Sequence, residues 1–236
     1  MDRSRWTRSV VNVGYGRSNG RGFVVATKRS ERLVITAAHC LPKLPPAHGA
    51  SYTEERIYAE ILGPLGQKRT VWAECVFADP IADLAVLRAL DDPDFAEKAD
   101  GYEHLVDAAV PLPIADLALI RPPITSRATS FGTITIESMT VPGPPSWEGR
   151  AWLLSLDGRW FRCAVSAGSR GLNIPEAAEP IEGGMSGSPI VSEEGRAIGV
   201  VTLNIGSYGG NPFLAAALPG WLLAEIRIGR PNRVST

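Results

Sequence analysis

Glu182-Gly183-Gly184-Met185-Ser186-Gly187-Ser188-Pro189-Ile190 sets a serine between a glycine two residues before it and another directly after. Glycine adopts backbone angles closed to other residues, so this stretch can turn tightly with its N–H groups converging on one point. Converging amides beside a hydroxyl make an oxyanion hole next to a nucleophile, here Ser186. A neutral hydroxyl attacks poorly, so the reading requires a base and a group that orients the base. Both candidates lie upstream. His39 ends the run Leu33-Val34-Ile35-Thr36-Ala37-Ala38-His39-Cys40, and Asp83 opens Asp83-Leu84-Ala85-Val86-Leu87.

Each residue alone has a plainer reading. A histidine at the end of an apolar strand is more often structural than catalytic. Asp83 has acidic neighbours in Asp79, Asp91, Asp92 and Asp94, and a serine in a glycine-rich turn needs no function. Asp79-Pro80 reads as a turn, whereas Asp83 begins an apolar strand in which a buried carboxylate needs a partner. Together the three contexts each suit one role in nucleophilic catalysis.

The chain has 236 residues, room for one large all-β domain or two small lobes with a real core. Its 24 glycines and 19 prolines favour short strands joined by turns over long helices. Strands are expected at 10–13, 22–26, 32–36, 56–62, 70–78, 84–90, 130–140, 151–156, 160–165, 189–192, 197–203 and 213–218. The acidic stretch 91–107 has helical character, and residues 47–52 read as an exposed loop. A net charge of −1 gives no reason to expect nucleic acid as a partner. No apolar run approaches the ~20 residues that cross a bilayer, and the first nine residues lead into no signal-length apolar region. The expectation is a cytoplasmic protein without a membrane anchor. Cys40, Cys75 and Cys163 are odd in number and lie in apolar runs, so they are expected as reduced core thiols. No Cys-x-x-Cys or His-x-x-x-His pair occurs, and neither a metal nor another cofactor is expected.

Thr36-Ala37-Ala38-His39-Cys40, Asp83-Leu84-Ala85-Val86-Leu87 and Gly184-Met185-Ser186-Gly187-Ser188-Pro189 together resemble the trypsin/chymotrypsin-like serine proteases. Gly199-Val200-Val201-Thr202-Leu203-Asn204 is similar to the strand that follows the nucleophile in that family, and the order His, Asp, Ser agrees. An α/β-hydrolase elbow requires the serine first in the chain and a glycine where Ser188 stands, so that alternative fails. The resemblance spans roughly residues 10–228. It implies an all-β fold of two six-stranded antiparallel β-barrels of the chymotrypsin type with a short C-terminal helix. The whole chain, 1–236, would be one peptidase domain, with barrels at about 10–110 and 120–218 and a closing helix at about 219–228.

By the same resemblance, His39 is the general base, Asp83 orients it, and the N–H groups of Gly184 and Ser186 form the oxyanion hole. Thr202 matches a position whose hydroxyl supports the aspartate. The specificity pocket would be lined by Pro180, Ile181, Val201, Thr202, Leu203 and Asn204 and would suit a small or medium apolar side chain, with Glu179 and Glu182 flanking it. Met185 stands where secreted members carry an aspartate that pairs with a newly cut N-terminal amine, so activation by trimming is not expected. Cys40 lacks the usual disulfide partner, since residues 20–27 contain no cysteine. These departures resemble bacterial HtrA-like or glutamyl-endopeptidase-like relatives, here without a PDZ domain. The implied function is an intracellular serine endopeptidase acting on a protein or peptide substrate and controlled by conformation or by an activating partner. The alternative is a catalytically silent binding or scaffolding module.

Overall fold

The computed structural model describes residues 3–44, 56–115, 135–136, 139–140, 147–168, 171–202, 213–215 and 224. Short β-branched and apolar runs between turns give fourteen strands among these residues. Six of them close the first barrel: β1 (Val10–Val13), β2 (Gly20–Ala26), β3 (Arg32–Thr36), β4 (Ile57–Pro64), β5 (Val71–Asp79) and β6 (Leu84–Arg88), ordered β1-β2-β3-β6-β5-β4. A small hairpin, β7 (Thr135–Ile136) and β8 (Met139–Thr140), precedes the second barrel. That barrel comprises β9 (Trp147–Leu154), β10 (Trp160–Gly168), β11 (Gly171–Ala177), β12 (Pro189–Ser192), β13 (Ala197–Val201) and β14 (Phe213–Ala215), ordered β10-β11-β14-β13-β12-β9. The pairings within both barrels are antiparallel, and closing each sheet on itself removes the edges that would otherwise invite strand addition.

β11 has no counterpart among the expected strands. Its sequence, Gly-Leu-Asn-Ile-Pro-Glu-Ala, contains a proline that cannot donate to a ladder. The register explains how it is tolerated. Asn173 pairs Ser166 and Glu176 pairs Ala164, so Ile174 and Pro175 together oppose Val165 in a bulge.

The acidic stretch forms α2 (Ala96–Ala108), which follows the four-residue α1 (Ser4–Thr7) in chain order. α2 buries Tyr102, Leu105 and Val106 against the first barrel. The Tyr102 hydroxyl lies 2.9 Å from Leu87 O and 3.1 Å from Arg32 O, and Arg32 Nη1 donates to Ala109 O (3.2 Å) at the end of the helix. A cation placed on the last carbonyls complements the helix dipole. The connecting segment then touches both barrels: Leu112 N donates to Val24 O (2.8 Å) and Ala115 N to Ala197 O (2.9 Å).

One apolar cluster fills the first barrel and continues into the second through Val191, Ala197 and Val200, so the seam between the barrels is itself core. A second cluster, including Leu153, Phe161, Leu172, Met185 and Ile198, fills the second barrel. At the start of the chain Trp6 is buried edge-on against Trp160, with ring centroids 5.3 Å apart, and Trp160 Nε1 donates to Thr7 Oγ1 (2.9 Å). Residues 47–52, expected as a loop, lie outside the described residues. So does the expected closing helix at 219–228, apart from Ala224, which is helical.

Candidate active site

His39 sits in a 3-10 turn, Ala38–Cys40, that begins where the apolar β3 ends. Asp83 sits immediately before β6, and the antiparallel β3–β6 pairing, which sets Thr36 opposite Ala85, brings the start of β6 beside the end of β3. Its φ of +53° is left-handed, a region that aspartate enters more readily than most side chains. The turn before it is fixed by Asp79, whose Oδ1 accepts from Ile81 N and Ala82 N, both at 2.9 Å. The result is a two-point clamp: His39 N donates to Asp83 Oδ1 at 2.9 Å, and His39 Nδ1 lies 2.7 Å from Asp83 Oδ2. With the Nδ1 proton committed to the carboxylate, Nε2 is the ring nitrogen left to act as a base.

Ser186 reaches the same region from the second barrel. Met185 N donates to Glu182 O (3.1 Å), and Gly184 at the third position of that turn has φ +98°, the type II pattern that glycine serves. A second turn follows at once, with Ser188 N donating to Met185 O (3.0 Å). Gly187, at φ +82°, sits where an added Cβ would collide with Arg21 O and stand 2.6 Å from Thr36 Oγ1. Only glycine lets this turn press against the first barrel so closely. Ser186 O accepts from Arg21 N (2.7 Å) and from Cys40 Sγ (3.8 Å), which docks the serine beside the residue that follows His39.

The Ser186 hydroxyl is enclosed and has no hydrogen-bond partner among the described residues. Neither Gly184 N–H nor Ser186 N–H, the two amides expected in the oxyanion hole, donates to another described residue. The structure therefore joins His39 to Asp83 directly and leaves the Ser186 hydroxyl outside that hydrogen-bonded pair.

Of the expected pocket residues, Ile181 packs against the second-barrel cluster that contains Val201. Pro180 is exposed and Ile181 half-buried, and both line a groove of about 420 Å³ along residues 174–181. Val201 lies in the core of the second barrel, Thr202 is buried just beyond β13, and Leu203 and Asn204 are outside the described residues. Glu179 is held by Arg159, with Nη1–Oε1 at 3.2 Å and Nη2–Oε2 at 3.4 Å. Met185 is buried in the second core, and its Sδ accepts from Glu182 N (3.3 Å), so an apolar side chain fills that position and helps close the turn. Cys40, Cys75 and Cys163 are free and buried. Burial pushes the Cys40 and Cys163 thiols up to about 12 and the Cys75 thiol up to about 11, so all three stay protonated near neutrality. No group of acidic, His and Cys side chains among the described residues is arranged to hold a metal ion.

Sequence reasoning missed Arg21, whose buried side chain crosses the barrel seam, and the Trp6–Trp160 contact. No local signal marks Arg21, which stands just before the strand expected at 22–26.

The family model for the trypsin-like peptidase domain matches residues 20–200. No curated protein matches the sequence closely enough to count. Among solved structures, a serine endoprotease from Yersinia pestis is 17% identical with a TM-score of 0.48, the match covering 91% of this chain and 60% of that one. The Rv3671c protease in its inactive form is 15% identical with a TM-score of 0.44, the match covering 91% of this chain and 86% of that one. The chain thus spans less than two thirds of the Yersinia pestis protein. The family match extends over most of both barrels, from β2 to β13, and takes in His39, Asp83 and Ser186: the chain belongs to the trypsin-like peptidase family.

Proposed function

We propose that this protein hydrolyses peptide bonds of protein substrates through Ser186, His39 and Asp83 by way of an acyl-enzyme. The observation that carries the reading is the clamp on His39, which leaves Nε2 as the proton acceptor. His39 takes the Ser186 proton as Oγ attacks the carbonyl carbon, and Asp83 stabilises the imidazolium that forms. The developing oxyanion accepts from Gly184 N–H and Ser186 N–H, amides that have no other described partner. Collapse of the tetrahedral intermediate passes the proton from His39 to the leaving amine. Water then repeats the sequence on the ester and regenerates Ser186.

The enclosed Ser186 hydroxyl supports a resting form in which the serine must rotate toward His39 before reaction. Catalytic hydrogen bonds often tighten only when substrate is bound. A substrate or an activating partner protein in a cytoplasmic setting would supply that trigger, and the groove at Pro180 and Ile181 would take a small or medium apolar side chain. A fluorophosphonate probe is expected to label the wild type and not Ser186→Ala. Equal labelling of the two proteins would remove Ser186 as the nucleophile.

A further inference from the structure

Arg21 is 5% exposed, and among the described residues it has no carboxylate within ion-pair distance. Its guanidinium instead donates to three consecutive carbonyls of the other barrel: Nη1 to Leu154 O at 2.7 Å, and Nη2 to Ser155 O at 2.9 Å and Leu156 O at 3.3 Å. Burying a cation among carbonyl dipoles, with the Asp157 charge acting on it only from beyond ion-pair distance, is expensive, so a residue that only had to fill this space would be apolar. The planar fork of arginine suits three converging acceptors, which a lysine ammonium on its flexible stem matches poorly.

The main chain of the same residue grips the nucleophile. Arg21 N donates to Ser186 O (2.7 Å), and Arg21 O accepts from Thr36 Oγ1 (2.7 Å) while lying against Gly187. The turn held by the guanidinium also reaches the oxyanion loop, because Leu156 Cδ2 lies 3.3 Å from where a Cβ on Gly184 would stand. The contacts therefore form a circuit: Arg21 backbone to Ser186, Arg21 side chain to the β9–β10 turn, and that turn through Leu156 to Gly184. We infer that Arg21 is a positioning residue that holds the β9–β10 turn against the Gly184–Ser186 loop and so keeps the two oxyanion amides aligned. This rests on the proposed role of Ser186.

The test compares wild type, Arg21→Gln, Arg21→Lys and Ser186→Ala. The measurements are fluorophosphonate labelling rate, kcat and KM on a peptide substrate, and amide hydrogen exchange over residues 154–160, 182–188 and 84–88. In Arg21→Gln, labelling and kcat should fall at least about tenfold with KM changed less than about twofold, the pattern of a lost transition-state interaction. Exchange should rise at 154–160 and 182–188 and stay at the wild-type rate at 84–88, with Arg21→Lys falling between. Wild-type exchange at 182–188, or an equal rise at 84–88, would overturn the inference and leave Arg21 as a general staple between barrels. If Arg21→Gln does not fold, Arg21→Lys decides, and wild-type labelling and exchange in that variant overturn the inference. Equal labelling of wild type and Ser186→Ala would defeat the nucleophile assignment alone, since exchange at 182–188 reads the hold of Arg21 without reference to activity.

Discussion

On the first barrel His39 is held at two points by one carboxylate, whereas on the second barrel the Ser186 hydroxyl meets no polar partner among the described residues. The first arrangement is made within a single barrel, by a 3-10 turn, an Asx turn and one left-handed aspartate. The second depends on contacts across the seam, where Arg21, Thr36 and Cys40 of the first barrel meet Ser186 and Gly187 of the second. The difference teaches that one half of the candidate site, the His39–Asp83 pair, is made inside a single barrel, while the other half, around Ser186, takes its geometry from how the barrels meet.

Breaking the His39–Asp83 half should have the largest effect. Asp83→Asn keeps the size of the side chain but offers an amide to His39 Nδ1, which favours the wrong tautomer and supplies no charge for the imidazolium. The expected loss in kcat is about 10⁴-fold with the fold retained, read from steady-state kinetics and circular dichroism. A loss under about tenfold would mean that the clamp does not orient the base. Pressing on the seam comes next. Gly187→Ala drives a methyl group into Arg21 O in a left-handed conformation, so the loop and the first barrel must separate. Overpacking and backbone strain together should cost about 3 kcal/mol or more in urea unfolding. A variant as stable as wild type would show that the seam is looser than its contacts imply.

The two halves also differ in how far the sequence reveals them. The pairing of His39 with Asp83 is legible because each stands in a local context, a strand end and a strand start, and Ser186 stands out by the neighbouring glycines that permit tight turns. The strands of the first barrel are legible for the same reason, as apolar β-branched runs between breakers. β11 is hidden because the signal that argues against a strand, Pro175, is accommodated by a bulge that only the pairing with β10 creates. Arg21 is hidden because its meaning lies in Leu154 O, 133 residues away, and nothing in Gly20-Arg21-Gly22 announces a distant carbonyl. Trp6 gives no hint that it packs on Trp160, since burial across a seam leaves no local period.

Both cores carry thiols, and pH tests them together. Cys40, Cys75 and Cys163 have native values raised from 9.0 to about 12, 11 and 12, in each case chiefly by desolvation. A raised native value means that the folded protein keeps a proton the unfolded chain gives up. The stability this brings is fully present below pH 9 and is lost as pH rises through the native values. Each thiol should cost about 1 kcal/mol of unfolding free energy between pH 8 and pH 10 under reducing conditions. Replacing one thiol by alanine should flatten that slope by one proton's worth, and an unchanged slope would show that the thiol already ionises in the folded state.

The smallest effect separates the two halves most cleanly, because its sign is opposite to the usual one. An enclosed hydroxyl with no partner among the described residues has given up its hydrogen bonds to water and gained none from them, so removing the oxygen removes a penalty. Ser186→Ala should therefore raise the unfolding free energy by about 1 kcal/mol while abolishing labelling by the probe. Most substitutions of a buried, well-paired serine would lower it. If Ser186→Ala unfolds more easily than wild type, the hydroxyl has a stabilising partner in solution and the second half of the site is as complete as the first. If it is more stable, the reactive serine destabilises the resting protein, and the energy released when it reaches His39 favours the competent arrangement of the seam.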